Sequence, residues 1–301
     1  MNRPSVKIGF IGLGVMGEPI CRNIIRKSGL TGYAFDFSGG PLERLAGDGV
    51  QAASSVHDLG GKSDIVFLSL PGGPEVEAVI CGPEGLLKSL RPGCTIVDLS
   101  TTPVELTRRL ALAAKANGIS YADAPVARTR QAAEDGTLSI MVGASAEVFA
   151  RIQPLLNLAA SEVTHCGGIG CGQIVKILNN MVLFETVVAL SEALNIGRAS
   201  GIDVNVLFET FTKGSADSFA LRNHGKKALL PEEFPKKAFS TDYAIKDIDY
   251  AIALAEDAGI QARNALLTRE LLGRASAAGF GDDYFPVVSR VIADRDPGTK
   301  S

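Results

Sequence analysis

The chain has 301 residues, of which 46% are hydrophobic and 21% are charged. This balance is typical of a globular protein with a full core, and the length favours two domains. The formal net charge of −3, without a basic patch, argues against nucleic acid or an anionic membrane surface as the partner. The five cysteines lack CxxC spacing, so neither a metal site nor a disulfide framework is predicted.

The N-terminal apolar run does not have the pattern of a signal peptide. Glycines interrupt it, it meets Glu18 and Arg22, and no small-residue cleavage site follows. No segment reaches the length of a membrane span without charges. We therefore expect a cytoplasmic protein with no membrane partner.

The first chemical motif lies between a predicted strand, Val6–Ile11, and a predicted helix, Pro19–Lys27. It has the form GxGxxG, in which the glycines permit a tight turn and a close approach of the backbone to a pyrophosphate. A second predicted strand ends in Asp36, which can accept hydrogen bonds from the adenosine ribose. Its carboxylate repels a 2′-phosphate, so the sequence predicts NAD as the preferred cofactor, with NADP possible. The motif residues predicted to bind the cofactor are Gly12, Leu13, Gly14, Val15, Met16 and Gly17.

Two further apolar runs, Ile65–Leu70 and Thr95–Ser100, read as buried parallel strands. Ligands of open parallel sheets bind at the carboxyl ends of the strands. The loops that begin there are therefore predicted to contact the cofactor through Leu70, Pro71, Ser100 and Thr101.

The α/β alternation ends after three more predicted strands: a short one that begins at Tyr121, then Gly136–Gly143 and Glu162–Cys166. We predict a nucleotide-binding domain over residues 1–166 and an all-helical domain over residues 167–301. The second domain begins with a long apolar helix from about Gln173 to Ser200. Further helices are predicted at Lys236–Ala258 and Ala262–Ala278, and a frayed tail at Arg295–Ser301.

The long helix carries a polar stripe on an otherwise apolar surface. Gln173, Lys176 and Asn180 are spaced i, i+3 and i+7, so they share one face. A helix that is apolar nearly all round is expected to be buried. A lysine among isoleucine, valine and leucine, directly after a glycine-rich turn, suits a proton donor or acceptor beside a hydride-transfer centre.

Four ordered motifs together resemble the β-hydroxyacid dehydrogenase family. They are Gly9–Gly17, Asp123–Val126 with Gly136–Leu138, Gly170–Asn180, and Lys246-Asp247. The resemblance implies a mostly parallel Rossmann-like domain and an all-α domain, joined by the long interdomain helix. It implies that Lys176 is the general acid/base and that Asn180 binds substrate. It also implies that Ser100, Thr101 and Lys246 lie near the nicotinamide, and that the protein is a homo-dimer or homo-tetramer.

The chain departs from the resemblance in one loop. Most of the family reads Asp-Ala-Pro-Val-Ser-Gly-Gly, where this chain has Ala127, Arg128 and Thr129 after the shared Asp-Ala-Pro-Val. The Arg-Thr pair is similar to one in a branch of the family that acts on sulfolactaldehyde. In that branch the pair binds the sulfonate of the substrate. We expect these three residues to bind the anionic end of a small substrate, whereas Arg130 is expected to be a surface residue.

The resemblance implies NAD(P)-dependent interconversion of a small 3-hydroxy acid and its semialdehyde or ketone. Two alternatives remain at this point. An imine reductase often carries Asp or Tyr in place of Lys176, and a non-catalytic nucleotide-binding protein on this fold typically loses the lysine.

Overall fold

A computed structural model describes residues 6–236 and 238–293. The predicted tail at Arg295–Ser301 lies outside the described residues. The chain divides between Lys176 and Ile177 into two compact units, one on each side of this point. The division falls inside the long helix, a few residues after its first turn.

The first unit is built on one twisted sheet. The strands of the described residues are β1 (Ile8–Ile11), β2 (Gly32–Phe35), β3 (Val50–Ala52), β4 (Ile65–Leu68), β5 (Thr95–Asp98), β6 (Ser120–Asp123), β7 (Val126–Ala127), β8 (Leu138–Gly143) and β9 (Ala160–Gly167). The order begins β3-β2-β1-β4-β5-β6, and these six strands are parallel. This is the dinucleotide-binding order, with its switch point between β1 and β4. The predicted Rossmann-like fold is confirmed.

The far edge of the sheet is mixed. Strand β8 runs antiparallel to β6 and β7 and parallel to β9. Both β3 and β7 are too short to have a sequence pattern, and neither was predicted. Strands β4 and β5 end two residues earlier than predicted, because the Leu70 N–H bonds to the Ser100 hydroxyl rather than to a neighbouring strand.

Alternate residues of the central strands enter two separate apolar clusters. Phe10 and Phe67 pack in one cluster, while Ile11 and Leu68 pack in the other. Both faces of the sheet are therefore covered, which is why these strands read as unbroken apolar runs. The helices that cover them are α1 (Gly17–Ser28), α2 (Gly39–Leu45), α3 (Val56–Lys62), α4 (Gly73–Cys81), α5 (Leu86–Ser89), α6 (Val104–Ala116), α7 (Arg130–Asp135) and α8 (Ala146–Leu156).

The second unit is helical. Its elements are the greater part of α9 (Cys171–Ala199), α10 (Val204–Phe211), α11 (Thr241–Asp257), α12 (Arg263–Ala275) and α13 (Val288–Ala293), with π-helical turns at Leu221–Leu229 and Ser276–Phe280. The core contains Phe184, Phe208 and Phe285. Helix α11 begins later than the predicted Lys236, because the Ser240 hydroxyl accepts the Tyr243 N–H and caps the helix there. Helix α12 ends at Ala275 and continues as the second π-helical turn.

Helix α9 is less buried than its composition predicted. Val175, Leu178 and Val182 are exposed by 41%, 40% and 56%. By length and composition alone the helix could cross a membrane, a test that the core helix of a soluble protein also passes. The prediction of burial all round was wrong, because an apolar helix can present part of its surface outside the core of its own chain.

Candidate active site

The glycine loop lies at the carboxyl end of β1. Gly12 has φ +90°, and a Cβ atom there would lie 2.2 Å from the carbonyl oxygen of Ser69. A Cβ at Gly17 would lie 2.0 Å from the Gly12 oxygen. At Gly14 a Cβ would meet no protein atom within 4 Å. Packing thus requires the first and third glycines, while the second leaves backbone accessible where a pyrophosphate would approach, so the loop fits a dinucleotide.

Asp36 closes this loop from the end of β2. Its Oδ2 accepts the Leu13 N–H at 2.6 Å, and its Oδ1 accepts the Ser38 N–H at 2.7 Å. A cavity of about 690 Å³ opens beside it, and Leu13, Gly14, Asp36 and Arg44 are among its lining residues. The carboxylate is therefore fixed by backbone donors at the edge of this cavity. Val15 and Met16 complete the loop, and Val15 is 48% exposed.

The loops after β4 and β5 are joined by one serine. The Ser100 Oγ accepts the Leu70 N–H at 2.9 Å, and the Ser100 N–H donates to Asp98 Oδ1 at 2.9 Å. Ser100 is buried, Thr101 and Leu70 are half-buried, and Pro71 is exposed. The four predicted residues thus lie at adjacent strand ends, beside the switch point of the sheet.

Gln173 anchors the start of α9 to the loop after β5. Its Nε2 donates to the Ser100 oxygen at 2.8 Å and to Thr102 Oγ1 at 2.9 Å, and its Oε1 accepts the Thr102 N–H at 3.1 Å. The side chain is completely buried. Sequence spacing placed Gln173 on a polar stripe with Lys176, and the contacts show that its amide is used to hold this loop.

Asp98 lies beneath the same network as a fully buried carboxyl. Burial raises its pKa to about 6, although hydrogen bonds from Ser100, Tyr121 and Thr102 act in the opposite direction. These donors provide hydrogen bonds to the ionised carboxyl group. The loop after β5 is therefore held by a buried carboxylate as well as by apolar packing.

The shared Asp-Ala-Pro-Val motif supplies a cap for α9. Asp123 Oδ1 accepts the Gly170 N–H at 2.7 Å, and Oδ2 accepts the Gln173 N–H at 2.9 Å. A Cβ at Gly172 would lie 2.8 Å from Asp123 Oδ2, so glycine is needed for the carboxylate to reach the helix. A buried anion at a helix N-terminus satisfies two backbone donors and opposes the positive end of the helix dipole.

Lys176 lies just after this capped turn, at the end of the first unit. Its side chain is half-buried. The turn before it is held by polar contacts of Gln173 to Asp123, at the end of β6, and to Ser100 and Thr102, in the loop after β5.

Arg128 has an unusual backbone. Its φ is +86°, in the left-handed region that favours glycine. In the family pattern quoted above, Asp-Ala-Pro-Val-Ser-Gly-Gly, glycine stands at this position. Its Nη1 donates to the Thr137 oxygen at 2.6 Å and to Ser161 Oγ at 2.8 Å. The neighbouring Ala127 is half-buried on β7. The Thr129 hydroxyl accepts the Ala132 N–H at 3.3 Å and caps α7.

The predicted residues of the second unit meet at one buried carboxylate. Asn180 is 2% exposed, and its Nδ2 donates to Asp247 Oδ2 at 2.7 Å. Lys246 Nζ lies 3.0 Å from Asp247 Oδ1 and about 5 Å from the ring centroids of Tyr243 (5.2 Å) and Tyr250 (5.1 Å). Lys246 is thus held by aromatic faces as well as by charge, and it is not a simple surface pair with its neighbour.

Three acids and an amide were not predicted as site residues: Asp98, Asp123, Asp247 and Gln173. Asp123 and Asp247 stand in the motifs that carried the family resemblance, so they were visible in the sequence without a role. One feature of the sequence could have identified Asp98: it is a carboxylate in the middle of an apolar run. A buried strand tolerates such a group only if several hydrogen-bond donors surround it.

The comparisons agree with this geometry. The model for the NAD binding domain of 6-phosphogluconate dehydrogenase matches residues 7–168. A second model, the NAD-binding domain of NADP-dependent 3-hydroxyisobutyrate dehydrogenase, matches residues 170–291. The two matches meet between β9 and α9.

Named relatives align along almost the whole chain. It is 36% identical over 287 residues to 2-(hydroxymethyl)glutarate dehydrogenase of Eubacterium barkeri, covering 95% of each. It is 34% identical over 281 residues to 2-hydroxy-3-oxopropionate reductase of Escherichia coli, covering 91% of this chain and 92% of the relative. A structure of Mycobacterium tuberculosis 3-hydroxyisobutyrate dehydrogenase with L-serine matches with a TM-score of 0.87 and 27% identity. The match covers 97% of this chain and 100% of that one.

A nicotinamide-dependent oxidoreductase is therefore the class that the fold and the glycine loop define. Within it, the chain belongs to the β-hydroxyacid dehydrogenase family. Its relatives are NAD(P)-dependent dehydrogenases and reductases of hydroxy acids, which favours that activity over an imine reductase or a non-catalytic nucleotide-binding protein.

Proposed function

We propose that the chain interconverts a small anionic 3-hydroxy acid and its semialdehyde, that it prefers NAD to NADP, and that Lys176 is the general acid/base. The observation that carries the proposal is the clamped first turn of α9. Asp123 and Gln173 tie this turn to the strand ends, in the same compact unit as the glycine loop. The lysine therefore has a fixed position relative to the cofactor loops, as proton transfer requires.

The chemistry divides between two groups. When bound, the nicotinamide ring supplies a hydride to the carbonyl carbon or accepts one from the alcohol. Lys176 gives a proton to the carbonyl oxygen in reduction and takes it from the hydroxyl in oxidation. The Asn180 amide, oriented by Asp247, holds the substrate.

The direct test is a screen of initial rates with NAD and NADP. The substrates are those in the names of relatives, 3-hydroxyisobutyrate, 2-(hydroxymethyl)glutarate, L-serine and 2-hydroxy-3-oxopropionate, together with sulfonated analogues. Turnover of at least one small hydroxy acid or semialdehyde is expected. Absence of turnover with all of them would favour the non-catalytic alternative.

The preference for NAD is supported by the fixed carboxylate of Asp36. Both of its oxygens accept backbone hydrogens, so the side chain is held in place at the cavity. A 2′-phosphate placed there would face an anion that cannot turn away.

Asp36→Asn is expected to raise the ratio of kcat/KM with NADPH to that with NADH by roughly tenfold or more, because it removes this repulsion. The amide keeps one acceptor for the Leu13 or Ser38 N–H, so the loop is retained. Asp249→Asn, which alters an exposed ion pair with Arg269 on the helical unit, is the matched control. An unchanged ratio in the Asp36 variant would remove this residue from cofactor choice.

An anionic substrate is supported by Arg128 and Thr129. Nη1 of the Arg128 guanidinium donates hydrogen bonds to the Thr137 carbonyl and to the Ser161 hydroxyl. A carboxylate, sulfonate or phosphate is a stronger acceptor than either, and arginine binds it with two parallel hydrogen bonds.

Arg128→Gly is expected to raise KM for anionic substrates by roughly tenfold and to affect neutral aldehydes much less, because one charge-assisted contact is lost. Glycine is the suitable replacement, since the φ of +86° at this position is one it adopts freely. Arg151→Ala, which removes a surface arginine bonded to the Gly93 oxygen, is the control. An equal effect on neutral and anionic substrates would exclude an anion-binding role.

A further inference from the structure

The cofactor cavity contains more positive charge than an NAD site needs. Arg22, Arg44 and Arg130 all line it. Each of the three is paired with a carboxylate: Arg22 with Asp48 and Glu18, Arg44 with Glu18, and Arg130 with Glu134. The cations that could receive a phosphate are therefore present, and each is neutralised.

The pairing of Arg44 with Glu18 has two points of contact. Arg44 Nε donates to Glu18 Oε1 at 2.9 Å, and Nη2 donates to Oε2 at 2.6 Å. This is the fork geometry by which arginine binds a phosphate, so the carboxylate occupies the edge that a 2′-phosphate would use. Hydrogen bonding to Arg44 holds the pKa of Glu18 below its ordinary value, which keeps the carboxylate ionised at neutral pH.

Glu18 is also held firmly, whereas Arg44 is not. The Glu18 side chain is only 15% exposed, and its Oε1 accepts a further hydrogen bond from Arg22 Nη2 at 2.9 Å. Arg44 is 57% exposed on the short helix α2, directly after the loop that carries Asp36 and Ser38. If the Glu18 charge were removed, Arg44 would be the group free to move into the cavity.

We propose that Glu18 determines cofactor specificity by holding Arg44 in a two-point ion pair, which withdraws the cation that a 2′-phosphate requires. This inference rests on the proposed preference for NAD and adds a second cause to it. Asp36 repels the phosphate, and Glu18 keeps a compensating arginine away from it. Glu18 is a positioning residue, because it acts through Arg44.

The two causes make a distinctive prediction. Removing the Asp36 charge alone leaves a site without a free cation, and removing the Glu18 charge alone leaves the repelling carboxylate. Together the changes admit the phosphate and supply its partner, so their effects on NADP⁺ binding are expected to exceed the product of the single effects.

The experiment measures dissociation constants of NADP⁺ and NAD⁺ by titration calorimetry, without substrate, for wild type, E18Q, D36N and the double variant. The double variant is expected to favour NADP⁺ by roughly tenfold or more beyond the product of the single effects, which corresponds to one charge-assisted hydrogen bond. Adding R44Q to the double variant should remove this gain. R44Q combined with E18Q removes both charges of the ion pair, so relative to wild type this variant should change NADP⁺ affinity less than about twofold.

The control is E77Q, which breaks the Glu77–Arg109 ion pair and leaves the cavity unchanged. Multiplicative effects of E18Q and D36N overturn the inference, as does a tenfold or greater loss of NADP⁺ affinity in the variant that combines E18Q with R44Q. A wild-type protein that binds neither dinucleotide overturns the proposed function together with this inference. Normal NAD⁺ binding without the extra gain overturns the inference alone.

Discussion

Replacing Lys176 by Ala is expected to reduce kcat by roughly 10²–10⁴-fold and to leave the affinity for NADH unchanged, because only the proton transfer is removed. The lysine follows the turn that Asp123 caps, whereas most of the predicted cofactor contacts come from the strand ends and loops after β1, β2, β4 and β5. Stopped-flow single-turnover rates together with NADH titration separate the two quantities.

Lys176→Arg distinguishes proton transfer from simple charge. Arginine keeps the positive charge but does not release its proton at neutral pH, so this variant is also expected to be slow. Lys115→Ala, which removes an exposed lysine on α6, is the control. Near-wild-type turnover in Lys176→Ala would remove the residue from the mechanism. Full activity in Lys176→Arg would leave it an electrostatic role only.

Asp123→Asn is expected to lower the free energy of unfolding by about 2–4 kcal/mol, the largest stability effect predicted here. The two carboxylate oxygens accept the N–H groups of Gly170 and Gln173. An amide of the same shape can accept only one of them and presents its own N–H₂ to the other. A buried backbone donor then lacks an acceptor, at the positive end of a helix of 29 residues.

The measurement is urea denaturation followed by circular dichroism, with kcat measured on the same samples. Asp135→Asn is the control, because Asp135 is exposed and accepts a hydrogen bond from Gln131 on its own helix. That change is expected to cost less than about 0.5 kcal/mol. Equal stability of the two variants would show that the Asp123 carboxylate does not hold α9.

The parts of the fold that could be predicted from the sequence depend on neighbouring residues. The turn at Gly12 follows from local geometry. The parallel strands were predictable because burial on both faces produces apolar runs. Their assembly into one Rossmann-like sheet was predicted from the resemblance to a family, not from the runs themselves.

The anchoring of α9 could not be predicted in this way. Asp123 and Gly170 are 47 positions apart, and Gln173 and Ser100 are 73 apart. A sequence pattern shows an acid, a glycine or an amide, but it does not show that they meet. For the same reason the polar stripe on α9 was interpreted as a single surface. Gln173, at one end of it, instead forms hydrogen bonds with the loop after β5.

The left-handed backbone at Arg128 bears on how such enzymes diversify. The backbone at this arginine has a φ of +86°, a conformation that glycine adopts freely. Holding a non-glycine residue in this conformation costs about 1 kcal/mol, a small fraction of the stability of a domain. A substitution between glycine and arginine at such a position can therefore change the charge of the loop while the backbone keeps its conformation. The first turn of α9, which carries the proposed general acid/base, is anchored by other residues.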